Sequence, residues 1–170
     1  MRISLKVTVI IILLSLVACQ SSSTEEPILK VNNGNTDLRP LYFGNVNKDK
    51  EKLEEVIKES MIGKRFVDLP LITFGEQIEI EADNFKTNEY EIYDYILDEK
   101  GNIISDFDVS PWKVITTTNN KIEFTFEKSQ EFSAETNATV GGKVIHCILI
   151  RSEIDNSSFV FASLILSEFE

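Results

Sequence analysis

Apolar positions along this chain change their period once. Over residues 48–63, Leu53, Val56, Ile57 and Met61 recur at i, i+3, i+4 and i+8, which puts them on one face of an amphipathic helix. Asn47 or Asp49 stands where an N-cap belongs, and Gly63 where a C-terminal glycine belongs. Lys52, Glu55, Lys58 and Glu59 form the opposite face, which reads as solvated. After Gly63 the period falls to two. Ile78, Ile80 and Ala82 alternate with Glu79 and Glu81, the pattern of a half-buried strand. A second strand, 90–97, ends at Asp98-Glu99-Lys100-Gly101-Asn102, a hairpin turn in composition. Segments 103–107, 112–116 and 122–126 follow, with Pro111 marking an edge or a strand start and Asn119-Asn120 a turn. Residues 143–151 and 158–167 are apolar on both faces, so they are expected inside a sheet, with Asp155-Asn156 turning between them. Residues 28–47 are less legible: 28–31 has the composition of a short strand and 32–35 that of a turn.

About seven strands, with a turn every ten residues or so, predict a mainly β domain. The expected architecture is an antiparallel immunoglobulin-like β-sandwich with one N-terminal amphipathic helix. A single domain is expected over 28–170, the helix over about 48–62 and the sandwich over about 69–168, with no internal repeat. On the strand 90–97, Tyr93, Tyr95 and Leu97 share one face, and Tyr90, Ile92, Asp94 and Ile96 the other. A buried Asp94 is costly without a partner, so the Tyr93 face is expected to point into the sandwich. Tyr90, Ile92 and Ile96 then need a cover, which the helix face of Leu53, Val56, Ile57 and Met61 supplies. Otherwise that helix face is an interaction site for a partner.

Ahead of the domain, Arg2 and Lys6 precede an almost unbroken apolar run, Val7 to Ala18. As a helix those twelve residues cover about 18 Å, well short of a ~30 Å hydrocarbon core. A basic start, a short apolar stretch and a small residue at its end make the pattern of a secretory signal peptide. Leu16-Val17-Ala18-Cys19 resembles the lipobox of bacterial lipoproteins. The resemblance covers the first twenty residues. It implies a signal peptide over 1–18, cleavage between Ala18 and Cys19, and a diacylglycerol thioether on Cys19. Residues 19–27 are polar and rich in small side chains, as a flexible tether is. Two acyl chains hold a protein stably on a membrane, so the resemblance implies a lipid anchor at the extracytoplasmic face of the cell membrane.

Charge narrows the partners. With 28 acidic against 17 basic residues and a net charge of -11, the chain lacks the cations that nucleic-acid phosphates require. His146 is the sole histidine, available to a Ser-His-Asp triad or to a pair with Cys147. Neighbouring strand residues face opposite ways, however, so His146 and Cys147 do not form a nucleophile–base pair in a strand; both read as interior residues. A Cys/His zinc site lacks ligands. The turn 98–102 offers a lysine where a calcium loop needs oxygen, and 32–37 lacks the closing bidentate glutamate. No metal or cofactor is therefore expected. Asp94, Asp106 and Asp108 lie on or beside neighbouring strands and are the candidate carboxylates of a glycoside hydrolase, although solvated surface is the simpler reading in so acidic a chain. The motifs GxSxG, HExxH and GxGxxG and the P-loop are missing.

The expectation is a non-catalytic, lipid-anchored binding or interaction module of the cell envelope, with an envelope or extracellular protein as partner. One alternative is a small carboxylate-dependent hydrolase or metal-dependent enzyme. Another is an accessory ligand-capture lipoprotein of a membrane transporter, for which a chain without a two-lobe pattern is short. Convergence of Asp94, Asp106, Asp108 or His146 in a deep pocket would favour the enzyme.

Overall fold

Alternation in the middle of the chain and continuous apolar runs at its end produce two antiparallel sheets of different character. The computed structural model describes residues 25–44, 49–107, 110–128, 139–154 and 157–168. The expected signal peptide, Ala18, Cys19 and the start of the tether lie outside the described residues, as do Asn47, Asp108 and the turn Asp155-Asn156. The strands are β1 (Leu29–Asn33), β2 (Thr36–Asp37), β3 (Leu41–Gly44), β4 (Gln77–Ala82), β5 (Glu89–Leu97), β6 (Lys113–Thr116), β7 (Lys121–Thr125), β8 (Thr139–Val140), β9 (Lys143–Ile154) and β10 (Ser157–Glu168). Helix α1 (Lys50–Ser60) and a 3-10 turn (Phe66–Asp68) lie between β3 and β4.

One sheet has the order β2-β1-β4-β7, the other β3-β10-β9-β5-β6, with β8 also paired to β9. In the smaller sheet Ile78 and Ile80 face inward, fully buried, while Glu79 and Glu81 stay half-buried on the outer face. The larger sheet is covered on both faces, which is why β9 and β10 are apolar at consecutive positions. Toward the smaller sheet it presents Tyr90, Ile92, Ile148, Ile150, Phe161 and Ile165. Away from it, Tyr93, Tyr95, Leu97, Ile145, Cys147 and Leu164 pack against Leu53, Ile57 and Met61 of the helical segment.

This arrangement corrects the expected facing of β5. The helix covers Tyr93, Tyr95 and Leu97, and the Tyr90–Ile92 face, Asp94 included, points into the space between the sheets. The premise that failed was an Asp94 without a partner; His146 supplies one. Leu53, Ile57 and Met61 are buried, and Val56 is half-buried at the margin. Enclosing a side chain such as Ile57 contributes about 1.5–3 kcal/mol over leaving it in water.

Local chemistry sets the ends of α1. Asp49 accepts the Lys52 N–H at 3.1 Å as N-cap, and Gly63, at φ +74°, takes the left-handed turn that follows the helix. Glu54 accepts the Ile103 N–H at 2.8 Å and so ties the helix to the chain after β5. That chain is not the strand expected at 103–107. It makes one bridge, Leu97 to Ile103, because Ser105 Oγ takes the Ile96 N–H at 3.0 Å in place of a backbone carbonyl. Between them, Gly101 has φ +79°, and an added Cβ there would sit 3.3 Å from Ile57, Lys58 and Phe66.

The domain has two distinct ends. Its first described residues are fixed at one, where Asn84 accepts the Ile28 N–H at 2.7 Å and donates to the Glu26 carbonyl at 2.8 Å. β1 runs from there to the Asn33 end, where the β2–β3 link and the residues following α1 gather.

Candidate functional site

Five polar residues interrupt the apolar faces of β5, β9 and β10: Asp94, His146, Ser152, Ser163 and Ser167, all buried; Ser152, farther along β9, donates to Thr87 Oγ1 at 2.6 Å. In register, Ile96 and Ile165 sit opposite His146, whereas Asp94 opposes Ile148 and Ser167 opposes Val144. Asp94 and Ser167 are therefore diagonal neighbours of His146 on the same face, as is Ser163, within reach of an imidazole. His146 Nδ1 lies 2.8 Å from Asp94 Oδ1, and Nε2 lies 2.8 Å from Ser167 Oγ. With Asp94 ionised, Nδ1 carries the proton donated to it, and Nε2 is free to accept from the Ser167 hydroxyl.

These contacts have the connectivity of a Ser-His-Asp triad, but a nucleophile must also meet a substrate. Here the side chains of Asp94 and His146 have no exposed surface, and Ser167 has none either. The rings of Phe74 and Phe126 stand edge-on to the imidazole, their centroids 6.2 and 5.2 Å from its own. Beside β10, next to Ser167 in the chain, residues 70–72 are stitched to Leu166 as a parallel edge: the Leu166 N–H donates to the Pro70 carbonyl and the Ile72 N–H to the Leu166 carbonyl, both at 2.8 Å. The arrangement fastens three strands of the larger sheet together and leaves no space at Ser167 Oγ for a reacting carbonyl. Asp94 Oδ2 and Ser163 Oγ are enclosed without a hydrogen-bond partner among the described residues.

The other candidates are dispersed. Asp106 is exposed and does not join Asp94. Cys147 faces the helix side of the sheet, opposite to His146, and burial, with the nearby Asp94 charge, pushes its thiol pKa well up. Ser110 and Lys113 have the spacing of an S-x-x-K pair, a pattern not recognised from the sequence. They flank the start of an edge strand rather than share a helical turn, and Lys113 Nζ is held by the Thr125 carbonyl at 2.9 Å and Glu127 at 3.1 Å. Among the described residues no three His, Cys, Asp or Glu side chains gather as a metal site would require, and no helix is long and apolar enough to cross a membrane.

Sequence reasoning named a convergence of Asp94 and His146 as a mark of an enzyme but passed over Ser163 and Ser167. A partial signal was present: His146, Ser163 and Ser167 break apolar runs on two strands joined by the Asp155-Asn156 turn. Comparison of the chain with protein-family models, curated proteins and solved structures finds no match.

Proposed function

We propose that this chain is a lipid-anchored, extracytoplasmic binding module of the cell envelope, carried on Cys19, and that its domain is a non-catalytic immunoglobulin-like sandwich. The observation that carries the non-catalytic reading is the sealing of Asp94, His146 and Ser167 in the core, where their hydrogen bonds serve strand cohesion. Strand order supports the fold assignment. Leaving out β2, β3 and β8, the first, second and fifth strands (β1, β4, β7) form one sheet, and the third, sixth and seventh (β5, β9, β10) lie together in the other. An immunoglobulin-like sandwich divides these six strands in the same way; the fourth strand, β6, departs from the constant-type pattern by pairing with β5 in the second sheet. The anchor rests on the resemblance of Leu16-Val17-Ala18-Cys19 to a lipobox.

The anchor is tested by phase partition of the full chain and by labelling with a fatty-acid probe. The wild type is expected in the detergent phase and labelled, and Cys19→Ala in neither state. Label persisting in the alanine variant would remove the anchor. For the domain, Ser167→Ala is expected to change stability without selectively removing biological activity. A variant of unchanged stability and lost activity would overturn the non-catalytic reading.

A further inference from the structure

At the end of the domain away from Ile28, the β2–β3 link, the C-terminal end of α1 and the residues after the 3-10 turn enclose a groove of about 400 Å³. That is within the range of small-molecule clefts, roughly 300–1,000 Å³. Its walls are Leu41, Met61, Leu69 and Leu164, and its rim carries Arg39 and Lys64 together with Asp37 and Asp68.

Of the two acids, Asp68 is ion-paired and Asp37 is hydrogen-bonded within its own turn. Asp37 Oδ1 accepts the Arg39 backbone N–H at 2.9 Å, and Asp68 is held by the Arg65 guanidinium through two bonds of 2.9 and 2.8 Å. Lys64 Nζ donates to the Ser60 carbonyl at 2.9 Å, which uses one of its three N–H groups. Neither Lys64 nor Arg39 has an ion-pair partner among the described residues. With Asp68 neutralised by Arg65, Arg39 and Lys64 face Asp37 alone, a local excess of positive charge beside an apolar wall in a chain of net charge -11.

Arg39 is also held in a costly conformation. Its φ is +47°, in the left-handed region that favours glycine, and Pro40 follows it. The Asp37 bond and the Leu38 N–H donated to the Val31 carbonyl at 2.9 Å fix it there. Such strain persists where the surrounding structure over-determines it and is concentrated at ligand-binding positions.

We infer that this groove binds a small monocarboxylate borne on an apolar chain. The Arg39 guanidinium pairs the carboxylate through its planar fork, Lys64 adds a second donor, and the four apolar side chains house the chain. A dianionic phosphate fits less well, because Asp37, without an ion pair among the described residues, stands beside the cations and repels a second negative charge. The inference rests on the reading of the domain as a binding module and is independent of the lipid anchor.

Hexanoate titrated into the full chain tests it, with hexanol and inorganic phosphate as comparison probes and binding read by calorimetry or saturation-transfer NMR. Arg39→Gly removes the guanidinium at a backbone position that glycine adopts without strain, so the variant is expected to fold. Saturable hexanoate binding, at least tenfold tighter than hexanol or phosphate, is expected for the wild type. A tenfold or greater loss is expected in Arg39→Gly, and no change in Lys86→Gln, at the opposite end. Absence of saturable binding, equal binding of hexanol, tighter binding of phosphate, or an unaltered affinity in Arg39→Gly would each overturn the assignment. None of these outcomes alters the result with Ser167→Ala, so the groove and the non-catalytic reading of the domain fail separately.

Discussion

His146 Nδ1 and Asp94 Oδ1 meet at 2.8 Å from strands whose residues are 52 positions apart in sequence, and both side chains are wholly enclosed. A buried pair of this kind makes removal of one partner far more damaging than removal of both. His146→Leu leaves Asp94 enclosed and unpaired and is expected to cost about 3–5 kcal/mol. Asp94→Leu combined with His146→Leu is expected to recover most of that loss. Denaturant unfolding with an unchanged m-value is the measurement, and a double variant as unstable as the sum of the singles would refute the coupling.

The helix makes a sharper contrast. Ile57 has no exposed surface, while its neighbour Val56 is half-buried at the edge of the same face. Ile57→Asp is expected to lower stability by several kcal/mol, a large fraction of the 5–15 kcal/mol of a typical domain. Val56→Asp is expected to cost distinctly less. An Ile57→Asp shift below about 0.5 kcal/mol would place that face outside the core and return it to the role of a partner surface.

Much of this was legible because it depends on local period. Ile78, Ile80 and Ala82 announced a strand with one wet face, and Leu53, Ile57 and Met61 a helix with one dry face. The facing of β5 was not legible. It turns on whether Asp94 has a partner, and that partner arrives from a strand half a hundred residues later. The failure at 103–107 has the opposite scale: a single hydroxyl, Ser105 Oγ, took the hydrogen bond on which a ladder would have continued. The groove at Arg39 was hidden for a third reason. Its residues come from the link after β2, the end of α1 and β10, and residues 28–47 carry no period from which their placement can be read.

Acid should find the Asp98 turn. Partial burial raises the pKa of this carboxylate, but hydrogen bonds from the Asn102 side chain and backbone and the Lys100 backbone outweigh that and hold it below the usual range. A depressed folded-state pKa stabilises above the unfolded value and loses that contribution as pH falls through the folded value. Asp98→Ala is expected to cost about 1 kcal/mol near neutrality, after allowance for solvent screening. The difference from wild type should shrink below about pH 4, the ordinary aspartate range. Unfolding curves at about pH 6 and about pH 3 decide it; a difference that grows in acid would contradict the assignment.

Cys147 gives a chemical readout of the core. Its thiol is buried against the helix side of the larger sheet, and burial suppresses the reactive thiolate. In a Cys19→Ala background, maleimide labelling of the native chain is expected to be at least about a hundredfold slower than that of the unfolded chain, and to track opening of the domain. Rapid labelling under native conditions would mean that the space between helix and sheet is open to solvent.

The position of β9 and β10 has a consequence in time. They lie in the middle of the larger sheet, with β3 on one side and β5 on the other, and both of its apolar layers are built on them. They are also the last of the described strands in chain order. Until β9 and β10 have been made, Leu53, Ile57, Ile92 and Tyr93 have only part of the surfaces that enclose them. The nascent chain therefore completes both apolar layers late, and one that stops before residue 143 is expected to expose apolar surface that the finished domain covers.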